Sequence, residues 1–191
     1  GEIYIDGQLV NDLSPKERKV SMVFQNYALY PSLNNYENMA FALRVGRTLK
    51  YLIDEKVRKT ARNLEIDHLL DRFPREVSGG QRQRAYVAMV LCQETEYVLL
   101  DEPLNNLDIA RSVQMMEHLR RAANELGRTI LMVLHDINFA AKYSDRICAM
   151  KNGQIAAFGT VQEIMKPEIL SDIFETKIEI IEGPYGPIAV Y

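Results

Sequence analysis

The sequence predicts an α/β fold, with a mostly parallel sheet flanked by helices, an inserted helical segment and antiparallel β-hairpins. Three apolar runs, at residues 20–24, 97–100 and 129–134, have the composition of strands that are buried on both faces, as in a parallel sheet. Segments with helical periodicity separate the runs, as the alternation of an α/β fold requires. A polar residue follows each run, and ligands of open α/β sheets bind at the carboxyl ends of the strands. We therefore expect the functional site at these three strand ends.

The composition is that of an ordinary soluble globular protein, with 47% hydrophobic and 26% charged residues among 191. The net charge of −3 provides no general basic field that would attract nucleic acid or an anionic membrane. No apolar run approaches the roughly 18 residues of a membrane span, and there is no signal-peptide pattern. Cys92 and Cys148 are isolated in the sequence, which predicts two buried, reduced thiols in a cytosolic setting.

Turn and cap residues predict the elements before residue 77. Asp6-Gly7 is a two-residue hairpin signal between two short strands. Ser14 followed by Pro15 predicts the start of a helix. Residues 34–76 have helical character and no strand signal, and they are predicted to be a helical subdomain inserted into the core. Its helices are expected at residues 35–43 and 54–64, with a loop at 46–50.

The remaining chain is predicted to alternate helices and hairpins. Asp108 is the expected N-cap of a long helix that ends at Gly127. The inner face of that helix is expected to consist of Ile109, Val113, Met116, Leu119 and Ala123. Further helices are expected at 85–92, at 136–143 and on either side of Pro167, with hairpins at 146–158 and 177–191.

Two adjacent carboxylates, Asp101 and Glu102, follow the central apolar run, and Pro103 ends the strand. Adjacent strand residues point to opposite sides, so one carboxylate can hold Mg²⁺ while the other reaches a water molecule. The alternative is a polar turn of the kind that follows many strands. The neighbouring motifs decide between the two.

A second motif, Ser78-Gly79-Gly80-Gln81, precedes an apolar helix. Ser78 is a good N-cap, and the glycines leave the amide groups of the first turn open to a ligand. The positive end of the helix dipole favours an anion, and phosphate is the natural guest. The alternative is a helix start that is merely softened by glycine. Because two glycines in a first turn cost up to about 1 kcal/mol each relative to alanine, we favour the functional interpretation.

The other two strand ends carry Gln25 and His135. A glutamine in a loop is more often simply solvated, and taken alone Gln25 favours that interpretation. Three apolar strands that each have a polar residue at the carboxyl end are harder to explain as solvated loop residues. The other histidines, His68 and His118, are expected on helix surfaces without carboxylate or cysteine partners and without a metal role.

In this order the motifs resemble the nucleotide-binding subunit of ABC transporters. Residues 77–81, V-S-G-G-Q, are similar to the family's signature motif, usually L-S-G-G-Q, with valine for leucine. Residues 97–102 resemble Walker B with its catalytic glutamate, and residues 105–108 resemble the D-loop. Gln25 matches the Q-loop and His135 the switch histidine. The resemblance covers essentially the whole chain and implies a P-loop NTPase-like core at 1–33 and 77–191, with the helical subdomain at 34–76.

The resemblance also implies roles for these residues, with ATP and Mg²⁺ as cofactors. Asp101 would bind Mg²⁺ through water, Glu102 would polarise the attacking water, and His135 would contact the γ-phosphate. Gln25 would sense the metal and the γ-phosphate and couple to the membrane subunit. The chemistry is positioning and charge stabilisation around a phosphoryl transfer. Ser78, Gly79 and Gly80 would cap the γ-phosphate of ATP held by a partner protomer. Gln81 and Asp108 complete the set of cofactor-binding residues that the resemblance implies.

One departure from the family is that the 191 residues contain no G-x-x-x-x-G-K-[ST] motif, so the phosphate-binding loop and its lysine are missing. We expect a fragment that lacks the N-terminal part of the family fold. Such a chain would supply the signature half of an ATP sandwich but not the phosphate-binding half. Hydrolysis by the chain alone is therefore not expected.

A second departure from the family is that different segments of the chain resemble two different groups of importers. Residues 21–43 and 69–76 resemble sugar and glycerol-phosphate importers, whereas residues 101–116 and the C-terminal tail resemble ferric-siderophore importers. The chain is thus expected to be a natural mosaic or a recombinant of two relatives, joined near the signature motif.

We expect an importer ATPase that works in the cytoplasm on the inner face of the membrane, with a second copy of the subunit and with membrane-spanning permease subunits as partners. It is expected neither to bind nucleic acid nor to insert into the membrane directly. The alternatives are an engineered recombinant without physiological activity, a DNA-repair-type ABC ATPase and a translation-associated ATPase. A DNA-repair ATPase needs a long coiled coil between Gln25 and Ser78, and a translation-associated ATPase needs two cassettes. The sequence offers neither.

Overall fold

The computed structural model describes residues 1–14, 16–23, 29–105 and 107–191. Within it the chain divides into two units, Gly1–Val133 and Leu134–Tyr191, and each is described by itself. Predictions for Pro15, Phe24, Gln25 and Asn106 lie outside the described residues.

The first unit begins with the predicted hairpin, formed by β1 (Tyr4–Ile5) and β2 (Gln8–Leu9). Its turn residues Asp6 and Gly7 both have positive φ, as a tight two-residue turn requires. The helix predicted from Ser14 is wrong for the described residues, because residues 16–19 form turns. The Ser14 hydroxyl bonds to the carboxylate of Glu17 at 2.6 Å, so the capping residues stabilise a turn without a following helix.

The predicted parallel sheet is present in the order β3 (Val20–Val23), β4 (Tyr97–Leu100), β5 (Thr129–Met132). Both pairings are parallel. In β4, Val98 and Leu100 are buried. The prediction that β5 is buried on both faces is wrong, because Leu131 is 61% exposed. β5 is an edge strand of this sheet, and one of its faces is open.

The predicted helical segment contains α1 (Asn35–Val45) and α2 (Lys50–Asn63), followed by two short 3₁₀ helices, Asp67–Leu69 and Pro74–Glu76. The N-cap of α1 is Asn34, whose side chain accepts from the amide of Glu37. α2 begins four residues before its predicted start, at Lys50. That residues 34–76 form a separate subdomain stays a prediction.

The signature segment opens α3 (Gly79–Leu91), and the D-loop leads into α4 (Ile109–Leu126). Gly127 ends α4 with a φ of 59°, as predicted. The predicted inner face of α4 is wrong in part. Ile109 is 79% exposed, and Val113 and Ala123 are half-buried. The residues of α4 that are buried are Ser112, Met115, Met116, His118, Leu119 and Ala122.

Two predictions of whether a side chain is buried or exposed are also wrong, those for His118 and Cys148. His118 is only 4% exposed, and its Nε2 lies 3.5 Å from Oε1 of Glu65. Burial lowers the pKa of His118, with the Glu65 carboxylate opposing the shift. Cys148 is exposed, because it lies on the outward face of a hairpin, whereas Cys92 is buried as expected and burial raises the pKa of its thiol to about 12.

The second unit contains α5 (Ile137–Tyr143) and the hairpin of β6 (Arg146–Lys151) with β7 (Gln154–Thr160). Two short helices follow on either side of Pro167, namely α6 (Val161–Ile164) and α7 (Pro167–Phe174). The tail is the predicted hairpin of β8 (Glu179–Gly183) with β9 (Gly186–Val190). A small core joins these elements, and its buried residues are Ile147, Val161, Ile164, Met165, Leu170, Ile178 and Ala189.

Among the described residues, no helix is both long enough and apolar enough to cross a bilayer.

Candidate functional site

The start of α3 has the geometry of an anion-binding helix terminus. Ser78 is the N-cap, and its hydroxyl accepts from the amide of Gln81 at 3.4 Å. In return, the Gln81 side chain accepts from the amide of Ser78 at 2.9 Å, which completes a capping box. Gly79 is exposed, and a Cβ added there would meet no atom within 4 Å. The first-turn amides of Gly79 and Gly80 have no carbonyl within the helix to pair with, and the space beside Gly79 is open.

A pocket brings this helix start together with the D-loop. Its lining residues from the signature segment include Ser78, Gly80 and Arg84, and from the D-loop side they include Leu107 and Arg111. A Cβ at Gly80 would lie 3.3 Å from Cδ of Arg111. The absence of a side chain at Gly80 therefore lets the Arg111 side chain lie against the first turn of α3. The pocket thus contains two guanidinium groups beside a helix N-terminus, and one of the two, that of Arg111, is paired with Asp108.

Asp108 connects the same pocket to α4. Its carboxylate accepts from the amide of Arg111 at 2.9 Å and lies 3.3 Å from the Arg111 Nε. Asp108 is thus the N-cap of α4 and an ion-pair partner of Arg111 at the same time. The structure confirms the predicted cap. It also shows that the predicted signature and D-loop residues are neighbours.

The two carboxylates follow β4 as predicted. The amide of Asp101 donates to the carbonyl of Val23 at 2.9 Å, which continues the parallel ladder to this residue. Glu102 has a φ of 48°, an uncommon conformation for a residue other than glycine. Its carboxylate accepts from the side-chain amide of Asn105 at 3.2 Å. The Asn105 side chain thus contacts the Glu102 carboxylate in the turn that follows the strand.

A buried glutamine connects the signature helix to this turn. Gln83 is 2% exposed, and its side-chain amide donates to the carbonyl of Pro103. Sequence reasoning missed Gln83, Arg84 and Arg111, because their importance depends on contacts with a segment 20 or more positions away. The only signal was that Gln83 and Arg84 lie within three residues of the end of the signature motif.

Among the described residues, no group of three or more histidine, cysteine, aspartate or glutamate side chains is arranged to hold a metal ion. Mg²⁺ at phosphate-transfer sites takes one or two carboxylates together with phosphate oxygens and water, so it does not need such a group. Asp101 is a half-buried carboxylate at a strand end, and it fits that donor set.

His135 belongs to the second unit, where it is exposed and precedes Asp136, the N-cap of α5. The Asp136 carboxylate caps α5 by accepting from the amides of Asn138 and Phe139 at 2.8 and 3.0 Å. Gln25, predicted as a catalytic and metal-sensing residue, lies outside the described residues. The roles of both residues stay predictions.

A comparison with protein families matches residues 1–105 to the family described as ABC transporter. The chain belongs to this family. This is the family that the motifs predict.

Several relatives of this ABC transporter chain are importer subunits. The petrobactin import ATP-binding protein FatE of Bacillus anthracis is 80% identical over 128 residues, which are 67% of this chain and 51% of the relative. The petrobactin import ATP-binding protein YclP of Bacillus subtilis is 40% identical over 196 residues, covering 100% of this chain and 77% of the relative. The maltose/maltodextrin import ATP-binding protein MalK of Vibrio vulnificus is 42% identical over 86% of this chain and 44% of the relative.

The ABC transporter chain thus spans about half the length of several relatives that it matches. A solved relative, CbiO1 from Clostridium perfringens, which is part of the ABC transporter complex CbiONQ, has a TM-score of 0.78 at 28% identity. That likeness covers 90% of this chain and 70% of CbiO1. The predicted α/β fold class is confirmed.

Proposed function

We propose that this chain is the ATP-binding subunit of an ABC importer that takes up a small solute, with an iron–siderophore complex as the favoured substrate. The names of the two petrobactin-import relatives support this substrate. The maltose-import relative, which matches a larger share of the chain than FatE does, supports a sugar as the second candidate. A similar relative named for sn-glycerol-3-phosphate import supports glycerol-phosphate beside it. The observation that carries the proposal is the capped, glycine-opened start of α3 against Arg111.

In the proposed mechanism two protomers close around ATP. Ser78, Gly79 and Gly80 bind the γ-phosphate of ATP held by the partner, because the hydroxyl and the open first-turn amides match an anionic oxygen. Gln81 keeps the cap in place, and Asp108 orients the D-loop side of the same pocket. The first-turn amides and the Arg111 guanidinium supply the positive potential at this side of the site.

The remaining proposed roles concern the chain's own strand ends. Glu102 would polarise the attacking water, Asp101 would hold Mg²⁺ through a water molecule, and Gln25 would sense the metal and the γ-phosphate. His135 donates a hydrogen bond to the γ-phosphate. Mg²⁺ would neutralise the charge that develops on the phosphates. Support comes from the half-buried Asp101 and the Asn105-held Glu102 after β4, and from the exposed position of His135 before α5.

We propose that the partners are a second ATPase subunit and membrane-spanning permease subunits on the cytoplasmic side of the membrane. The membership of CbiO1 in a transporter complex supports this assembly. We further propose that the phosphate-binding loop comes from outside these 191 residues and that the segments on either side of the signature motif derive from two relatives. The limited stretch of 80% identity supports the second point. Amplification of the genomic locus across residues 70–90 tests it, because a natural mosaic is present there as one reading frame.

Complementation of a defective site tests the role of the signature segment. The partner is a P-loop-bearing ABC ATPase whose own signature serine is replaced by arginine, so that it hydrolyses ATP only if another chain supplies a signature. We expect this chain to restore hydrolysis and Ser78→Arg to abolish the restoration, with a loss of about a hundredfold. Ser32→Arg, at an exposed serine elsewhere in the first unit, is the matched control and restores hydrolysis fully. Equal restoration by both variants would refute the proposed role of Ser78.

A binding measurement tests the assignment of the phosphate-binding loop. The chain alone is expected not to bind a fluorescent ATP analogue in the presence of Mg²⁺. A version that carries a P-loop segment in front of residue 1 is expected to bind it, and Glu102→Gln is expected to abolish turnover in that version. Tight binding by the chain alone would show that other residues form the nucleotide pocket.

A further inference from the structure

The helix that follows His135 is too short to be stable without contacts to the rest of its unit. α5 has seven residues, and none of them is fully buried. Isolated helices of this length are not stable in water, so the orientation of α5 depends on what it packs against. Its partly buried residues Ile137, Ala140 and Ala141 pack against the small core of the second unit. Such packing selects the face of the helix that meets the core, and directional hydrogen bonds then fix its orientation more closely.

A pair of directional hydrogen bonds connects α5 to the C-terminal hairpin. The side-chain amide of Asn138 donates to the carbonyl of Ala189 at 3.1 Å, and its oxygen accepts from the amide of Ala189 at 2.8 Å. Only one orientation of the Asn138 amide satisfies both bonds. The two residues are separated by 51 positions, so this contact exists only in the folded unit.

The geometry of β9 explains why Ala189 is available. In an antiparallel pair, each residue directs both of its backbone groups either toward the partner strand or away from it. The Ala189 groups bond to Asn138, so they lie on the outer edge of the hairpin. Pro187 occupies the same edge two residues earlier, where its missing N–H costs no ladder bond. The Asn138 side chain therefore pairs with the backbone groups of Ala189 at the outer edge of β9, as a neighbouring strand would.

A short path leads from this contact to His135. The amide of Asn138 donates to the Asp136 carboxylate at 2.8 Å, and Asp136 directly follows His135. One residue thus has its side chain bonded to β9 and its backbone bonded to the cap that adjoins His135. A second contact lies further along α5, where the Lys142 Nζ is 5.0 Å from the ring centre of Tyr185 in the hairpin turn.

We propose that Asn138 is a positioning residue for His135 and that the C-terminal hairpin holds the switch histidine in place through it. The proposal rests on the proposed function for its significance in ATP hydrolysis. Its physical content is independent of nucleotide. When the bonds to Ala189 are lost, α5 loses two of the contacts that fix its orientation, and the position of the His135 side chain becomes less well defined.

Hydrogen exchange and NMR on the 191-residue chain test the proposal without ATP. In Asn138→Ala, amides of Ile137–Tyr143 are expected to exchange about tenfold faster, because two neutral hydrogen bonds are lost. The imidazole signal of His135 is expected to shift and broaden, while the signals of His68 and His118 in the first unit stay unchanged. Asn138→Asp keeps the acceptor for the Ala189 amide and loses the donor, so an intermediate effect is expected.

Two controls make each outcome decisive. Asn124→Ala, at an exposed asparagine of α4, is expected to change neither measurement. The amides of β6 and β7 report whether the second unit remains folded. Unchanged exchange in α5, an unchanged His135 signal, or equally accelerated exchange in β6 and β7 would each overturn the proposal. Because no nucleotide is present, a failure here is distinct from a failure of the complementation assay, which tests the proposed function.

Discussion

Replacement of Asp108 separates two contributions to the stability of the start of α4, namely the capping hydrogen bond and the negative charge. Asp108→Ala removes the N-cap of α4, which is worth about 1 kcal/mol, and also the exposed ion pair with Arg111, which adds a few tenths at most. The loss of a negative charge at the start of an 18-residue helix adds a further contribution from the helix dipole. We expect Asp108→Ala to lower the free energy of unfolding of the first unit by about 1.5 kcal/mol. Asp108→Asn keeps a capping oxygen, so its expected cost is about 0.5 kcal/mol.

Labelling of Cys92 measures this loss within the first unit alone. Its thiol is buried, with the pKa raised to about 12 by burial, so a thiol reagent reacts with it only after the surrounding structure opens. In the regime of fast reclosing, a loss of 1.5 kcal/mol raises the labelling rate by about tenfold. The exposed Cys148 is replaced by serine in every variant to leave one reactive site. If Asp108→Asn raised the rate as much as Asp108→Ala, the charge and not the cap would stabilise this helix end, and the reasoning would be refuted.

Three further predictions concern residues whose positions the fold decided. Cys148 should be modified by a thiol reagent within seconds in the folded chain and Cys92 should not, as mass spectrometry after quenching would show. Leu119→Ala should cost about 3 kcal/mol in urea unfolding, because it leaves a cavity beside buried neighbours, and a cost under 1 kcal/mol would contradict its core position. Because the pKa of His118 is lowered in the folded chain, the unfolded chain takes up a proton there first as the pH drops. The free energy of unfolding should therefore fall below about pH 6.5. His118→Leu should flatten the plot of urea midpoint against pH in that range.

Much of the fold follows from local sequence patterns. The hairpin at Asp6-Gly7, the cap at Asp108 and the helix end at Gly127 each depend on the conformational preferences of one or two residues. The parallel order of β3, β4 and β5 follows from apolar runs separated by helices. The same local logic failed at Ser14, where a capping box forms but residues 16–19 turn into β3.

The motifs of the candidate site could be predicted from the sequence, but the contacts between them could not. The signature, Walker B, D-loop and switch residues were predicted from their residue types and order. The contacts that join them were not, because Gln83 to Pro103 and Gly80 to Arg111 connect segments with no common pattern. Such contacts depend on packing between α3 and the turn after β4.

By itself, the sequence determined the fold class, the family and the residue types that are available for phosphate chemistry. Short-range rules suffice for these, because a strand end, a helix cap or a glycine-rich first turn carries its meaning within a few residues. Tertiary structure decided which side of α4 is buried, that His118 faces Glu65, and that Asn138 is bonded to Ala189. The reason is that burial and long-range hydrogen bonds depend on residues far away in the chain, and folding alone brings those residues together.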